Sequence, residues 1–124
     1  MEPGPKVLLV EDEPMLSELL TEALTDRGFA VHAAPDADHA LQHLLSGATV
    51  DILFTDIDLG DGMDGAQLAR IARELRPRLP IIYASGRRSM SEFRTVPGST
   101  FLPKPYTLNQ VDATIERHLQ GRAA

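Results

Sequence analysis

The sequence predicts an α/β domain: a doubly wound, five-stranded parallel sheet of order 2-1-3-4-5 with helices on both faces. Three observations carry that expectation. Short apolar runs rich in Val, Ile, Leu and Phe recur along the chain, bounded by charged residues, Gly or Pro, as in strands buried on both faces. Stretches with helical spacing lie between them, so strand and helix alternate throughout. The chain has 124 residues, near the commonest domain size, and can bury roughly two thirds of its unfolded surface without a disulfide or metal staple. Right-handed crossovers then narrow the topologies to the stated order.

The elements follow in turn. Val7–Val10 forms the first strand; Leu16, Leu19, Leu20, Ala23 and Leu24 share a helix face that Gly28 stops. Val31–Ala33 is the second strand, followed by a helix with Ala37, Ala40, Leu41, Leu44 and Leu45 inward and an end near Gly47. Ile52–Thr55 is the third, followed by a helix bearing Leu68, Ala69, Ile71, Ala72 and Leu75 and ended by Pro77. After the fourth strand, Ile81–Ala84, the stretch Arg88–Thr95 has few apolar residues and predicts a short or irregular fourth helix. Thr100–Leu102 is the fifth strand. A fifth helix carries Leu108, Val111, Ile115 and Leu119, with Thr107 as N-cap and Gly121 as stop. The expectation is one domain over residues 1–124, with a core of about 6–120, loose termini at "MEPGP" and "GRAA", and no output domain.

Composition excludes several functions. No cysteine is present, which rules out thiol nucleophiles, iron–sulfur clusters and zinc–thiolate sites. The formal charge of −6 argues against a nucleic-acid partner. No segment resembles a signal peptide or reaches membrane-spanning length, so the chain is expected in the cytoplasm without a membrane partner.

In such folds ligands bind beyond the carboxyl ends of the strands. Glu11, Asp12 and Glu13 follow the first strand, Asp56 the third, Ser85 and Gly86 the fourth, and Lys104 the fifth. Carboxylates with few competing nitrogen ligands suit Mg²⁺. Together with a hydroxyl and an ammonium, they make a site suited to a phosphoryl group, with a carboxylate as acceptor. Of the five aspartates in "DILFTDIDLGDGMDG", Asp56 alone ends the apolar run; Asp51 precedes it, and Asp61 and Asp64 shape the turn into the third helix. An EF-hand register from Asp56 would want Gly at position six and Glu at position twelve, where Asp61 and Gln67 stand, so it is rejected. His39 and His43 have the i, i+4 spacing of a metal pair, but no third ligand is evident nearby, and a solvated helix face is the expectation.

Four pieces in order, "VLLVEDEP", "DILFTDIDLGDGMDG", "PIIYASGR" and "FLPKPY", resemble the receiver domain of bacterial two-component response regulators, a flavodoxin-like fold. The "YASGR" piece resembles a subset often found as single domains. The resemblance implies that Asp56 accepts a phosphoryl group from a histidine kinase or histidine phosphotransfer protein. It implies that Glu11, Asp12, Asp56 and the Asp58 carbonyl hold Mg²⁺, with Mn²⁺ as a substitute. Ser85 and Lys104 would contact the phosphoryl group, Ser85 and Phe101 would switch, and the Lys104–Pro105 bond would be cis. The output would pass to a protein target through the fourth helix, fifth strand and fifth helix of a monomer or weak homodimer. Such a protein is no enzyme beyond catalysing its own phosphorylation and dephosphorylation.

The chain departs from the pattern in places. Glu11 replaces the commoner aspartate, Gly60 and Asp61 stand where many receivers have a proline, and Phe101 lacks the hydroxyl of a switching tyrosine. Asp58 and Arg87, each two residues beyond Asp56 and Ser85, carry opposite charges and are expected to pair over the site and lengthen phosphoryl lifetime. The alternatives are a haloacid dehalogenase-type Mg²⁺-dependent phosphatase, whose nucleophile pair matches "DID", and a degenerate receiver that binds without phosphorylation. Against the first, that motif belongs after the first strand; against the second, the acid–Ser–Lys set is complete.

Overall fold

The computed structural model describes residues 4–60, 62–86 and 95–123. Five strands, β1 (Lys6–Val10), β2 (Ala30–Ala34), β3 (Ile52–Asp56), β4 (Ile81–Ser85) and β5 (Thr100–Pro103), form one sheet of order β2-β1-β3-β4-β5. Every neighbouring pair is parallel. The helices are α1 (Pro14–Asp26), α2 (Ala37–Leu45), α3 (Gly65–Leu75) and α4 (Leu108–Ala123). The topology is the one the sequence predicts. The fourth helix expected near Arg88–Thr95 falls, but for Thr95, outside the described residues.

Alternation along each strand sends side chains to two apolar cores. Leu8, Val10, Leu53, Ile81 and Tyr83 pack against Ala40 and Leu44 of α2 and Leu68, Ala69 and Ala72 of α3. Val7, Leu9, Ile52, Phe54 and Ile82 pack against Leu20 and Leu24 of α1 and Val111 and Ile115 of α4. β3 and β4 are buried at every residue. β2 is not: as the margin of the sheet it leaves His32 and Ala33 exposed. Leu19 and Leu45, assigned to core faces from spacing, are exposed, because the stripe each helix buries is narrower than its apolar sequence.

Caps and turns follow local chemistry. Gly28 and Gly47 adopt φ of 95° and 85° just past α1 and α2, which only glycine does cheaply. Gly121 takes no such conformation, and α4 runs through it instead of stopping. Asp36 and Asp64 cap α2 and α3 by accepting the His39 and Gln67 N–H groups, each at 2.8 Å. Thr107 and Gln110 satisfy each other's N–H groups at the start of α4, a reciprocal capping box. Pro5 is not loose: its carbonyl accepts the Ala30 N–H at 2.9 Å.

Candidate functional site

Strand ends build the site. Asp56 is the last residue of β3 and is only 4% exposed. Both its carboxylate oxygens are held: Oδ2 accepts from Lys104 Nζ at 2.8 Å and Oδ1 from the Asp58 N–H at 3.0 Å. The third helix is pressed against this point. Gly65 N–H donates to the Ile57 carbonyl at 2.9 Å, and a Cβ at Gly65 would collide with the Asp56 carbonyl oxygen.

Lys104 is positioned by the sheet. Its N–H donates to the Ser85 carbonyl at 2.8 Å, continuing the β4–β5 ladder, and the Lys104–Pro105 peptide is cis. Burial alone would push its ammonium down, but the hydrogen bond and charge of Asp56, with Glu11, outweigh that and hold it above its usual value.

Glu11 and Asp12 follow β1. The Glu11 N–H extends the β1–β2 ladder to the Ala34 carbonyl at 3.1 Å, and the side chain is buried. Its Oε2 accepts the Glu13 N–H at 3.2 Å, and its Oε1 lies 3.9 Å from Lys104 Nζ. Burial pushes the Glu11 carboxyl up to about 7; the Glu13 N–H opposes this, while the Asp56 charge and an Asp12 hydrogen bond add to it. Asp12 is exposed, and its Oδ2 lies 3.5 Å from where a Cβ on Gly60 would stand.

One carboxylate oxygen from each of Glu11, Asp12 and Asp56 lies within 4.8 Å of the others. Three acids facing a single ammonium leave an excess of negative charge, which adds to the burial that chiefly raises Glu11. Hard oxygen donors in this number fit a small divalent cation. Ser85 is fully buried beside them, with its Oγ 3.5 Å from Asp58 Oδ2. The structure therefore gathers Glu11, Asp12, Asp56, Asp58, Ser85 and Lys104 at one rim.

Phe101 lies in register with Tyr83 and is half-buried against the core cluster that includes Tyr83 and Val96. Arg87, expected to pair with Asp58, lies outside the described residues, as does Asp61. Sequence reasoning missed Tyr106. Its hydroxyl is buried and makes no hydrogen bond among the described residues, and its ring meets Phe54 edge-on at 6.0 Å. Burial pushes the phenol up to about 12, so it stays neutral beside the acids. Its place in "FLPKPY", two residues past the lysine, was the available signal.

Residues 7–116 match the family described as the response regulator receiver domain. The chain belongs to this family. Among receiver relatives, the sensor kinase CckA of Brucella abortus is 36% identical over 92% of this chain, and the nitrogen assimilation regulatory protein NtrX of Azorhizobium caulinodans 30% over 92%. The chain spans only 12% and 26% of those two proteins. Among solved structures, a response regulator receiver protein from Sinorhizobium medicae is 37% identical, with a TM-score of 0.89 and coverage of 96% of this chain and 97% of that one. The receiver domain of the hybrid histidine kinase CckA is 30% identical, with a TM-score of 0.79 and coverage of 92% and 98%. Receiver membership, with Asp56 closing the third strand and not the first, sets the phosphatase reading aside. The acidic pocket of Glu11, Asp12 and Asp56 fits a phosphoacceptor.

Proposed function

We propose that Asp56 is the phosphoacceptor of a two-component phosphorelay, taking its phosphoryl group from a phosphohistidine on a kinase or phosphotransfer protein. The observation that carries this reading is the buried Asp56 carboxylate, gripped by Lys104 at 2.8 Å and bordered by two further acids. An Asp56 oxygen attacks phosphorus, the P–O bond forms as the P–N bond breaks, and the released imidazole takes a proton from solvent. Lys104 is placed to follow the negative charge onto the phosphoryl oxygens. Glu11, Asp12 and Asp56, with the Asp58 carbonyl, would hold Mg²⁺, or Mn²⁺ in its place. Bound there, the ion would neutralise phosphoryl oxygen charge.

Ser85 would then turn from Asp58 toward the phosphoryl group, and half-buried Phe101 would repack against the core. The output would leave through the segment after β4, through β5 and through α4 toward a protein target. The phosphodonor would dock on α1. Met15 and Leu19 there are 79% and 55% exposed and line an open pocket with Leu16, which also lines a second one of about 400 Å³ with Lys104, Pro105 and Tyr106. No helix of the described residues is long and apolar enough to cross a membrane. The reading is of a cytoplasmic receiver that turns over no diffusible metabolite.

Acetyl phosphate with Mg²⁺ tests it. One acid-stable but alkali-labile phosphoryl group per chain is expected, absent in Asp56→Asn and without chelated metal. Labelling that survives Asp56→Asn would overturn the assignment.

A further inference from the structure

Three histidines stand on β2 and α2, on the flank of the sheet away from the acids. We infer that His32, His39 and His43 form a site for a zinc-class divalent cation between β2 and α2. Sequence spacing offers only the His39–His43 pair; the fold adds His32. Its ring, on the sheet margin, stacks on that of His43 with centroids 3.7 Å apart and planes 11° from parallel. His39 and His43, four residues apart, are neighbours on the face of α2.

His39 carries the second observation. Its Nδ1 lies 2.7 Å from Asp36 Oδ1, while its own N–H caps onto the same oxygen at 2.8 Å. A carboxylate on Nδ1 fixes the tautomer and leaves Nε2 as the free electron pair, the arrangement that orients metal-bound histidines. Neutral imidazole is the ligating form, and burial, then His32 and Arg76, hold His43 below its ordinary value. The charges around the cluster are mixed. Asp36 and Asp38 at the head of α2 favour a cation. Lys6, across the cavity that His32 and His43 line, and Arg76 oppose it, but the Arg76 guanidinium is committed to the Leu44 and Ala48 carbonyls at 2.9 and 2.7 Å.

Among the described residues, only Glu11, Asp12 and Asp56 already converge on one point. Parallel stacked rings do not aim their in-plane lone pairs at one point, so an ion bound there would have to splay them. His32 and His39 are exposed and His43 half-buried, so their rings turn without disturbing a core. An ion held this way would tie the sheet margin to α2. Imidazole donors select zinc, nickel or copper over magnesium, so saturating Mg²⁺ leaves the histidines open.

The test is titration of the full chain with Zn²⁺ by calorimetry, and with Co²⁺ by visible absorption, in saturating Mg²⁺ that fills the acidic pocket. The expected result is one ion bound with micromolar affinity, weakened about tenfold or more in each of His32→Gln, His39→Gln and His43→Gln. Asp36→Asn, which keeps the cap, should weaken it severalfold, and Asp12→Asn should leave it unchanged. Circular dichroism checks that each variant is folded. Binding that persists in His43→Gln or falls in Asp12→Asn overturns the site, and so does binding indifferent to His32→Gln, which would reduce it to a bare helical pair.

Discussion

Glu11 shows how much one methylene and a buried position can alter. Its carboxyl is buried close to those of Asp12 and Asp56, with the Lys104 ammonium 3.9 Å away. Between the ordinary value of 4.5 and about 7, the folded chain keeps a proton that the unfolded chain has released. Stability therefore falls as pH rises through that window, and the full penalty is present above it. In metal-free buffer, urea unfolding near pH 8 should give a stability roughly 1–3 kcal/mol below that near pH 5 from this group. Glu11→Gln should flatten the slope, as should millimolar Mg²⁺; a slope unchanged by Glu11→Gln would remove this account of the charge balance. The residue itself was legible, because it follows an apolar run beside another acid. Its burial was not, since that depends on how β1 and β2 close over it. Asp56 and Lys104 were legible because each follows an apolar run, whereas Tyr106 was passed over although it stands two residues past the lysine.

At the scale of elements, α1 is the most informative departure. Spacing groups Leu19 with Leu20, yet it is Leu16, Leu20 and Leu24 that meet the core, leaving Met15 and Leu19 toward solvent. Sequence periodicity finds a helix's apolar residues but not how wide a band its neighbours cover. The double substitution of Met15→Asp and Leu19→Asp should cut phosphotransfer from a phosphohistidine protein about tenfold or more, equivalent to roughly 1.4 kcal/mol of docking. Labelling by acetyl phosphate, which needs no docking, should be unaffected. Equal loss with both donors would place the damage in the acidic pocket. β2 departs likewise: its apolar run reads as buried on both faces, although the predicted strand order already sets it at a margin of the sheet. The Arg76 contacts to the Leu44 and Ala48 carbonyls had no sequence signal, since they join residues 28 and 32 positions apart.

At the scale of the molecule, alternation, two apolar cores and the strand order were all readable, because parallel strands and right-handed crossovers leave few arrangements. The stretch Arg88–Thr95, where apolar patterning is thinnest, lies but for Thr95 outside the described residues. Every group around Asp56 comes from a different segment: Glu11 and Asp12 from the end of β1, Ser85 from β4, and Lys104 from beyond β5. None is near Asp56 in sequence except Asp58, so no fragment of the chain can assemble the pocket. Competence to be labelled by acetyl phosphate should consequently disappear over the same urea interval as helical ellipticity, with coincident midpoints, as a cooperative unit requires. Labelling that fails well before the ellipticity would mean that the pocket opens as a separate subdomain. If Asp56 is the phosphoacceptor proposed above, the same dispersal would make its reactivity an all-or-nothing property: a nascent or damaged copy would draw no phosphate, and only chains that have finished folding would carry a signal.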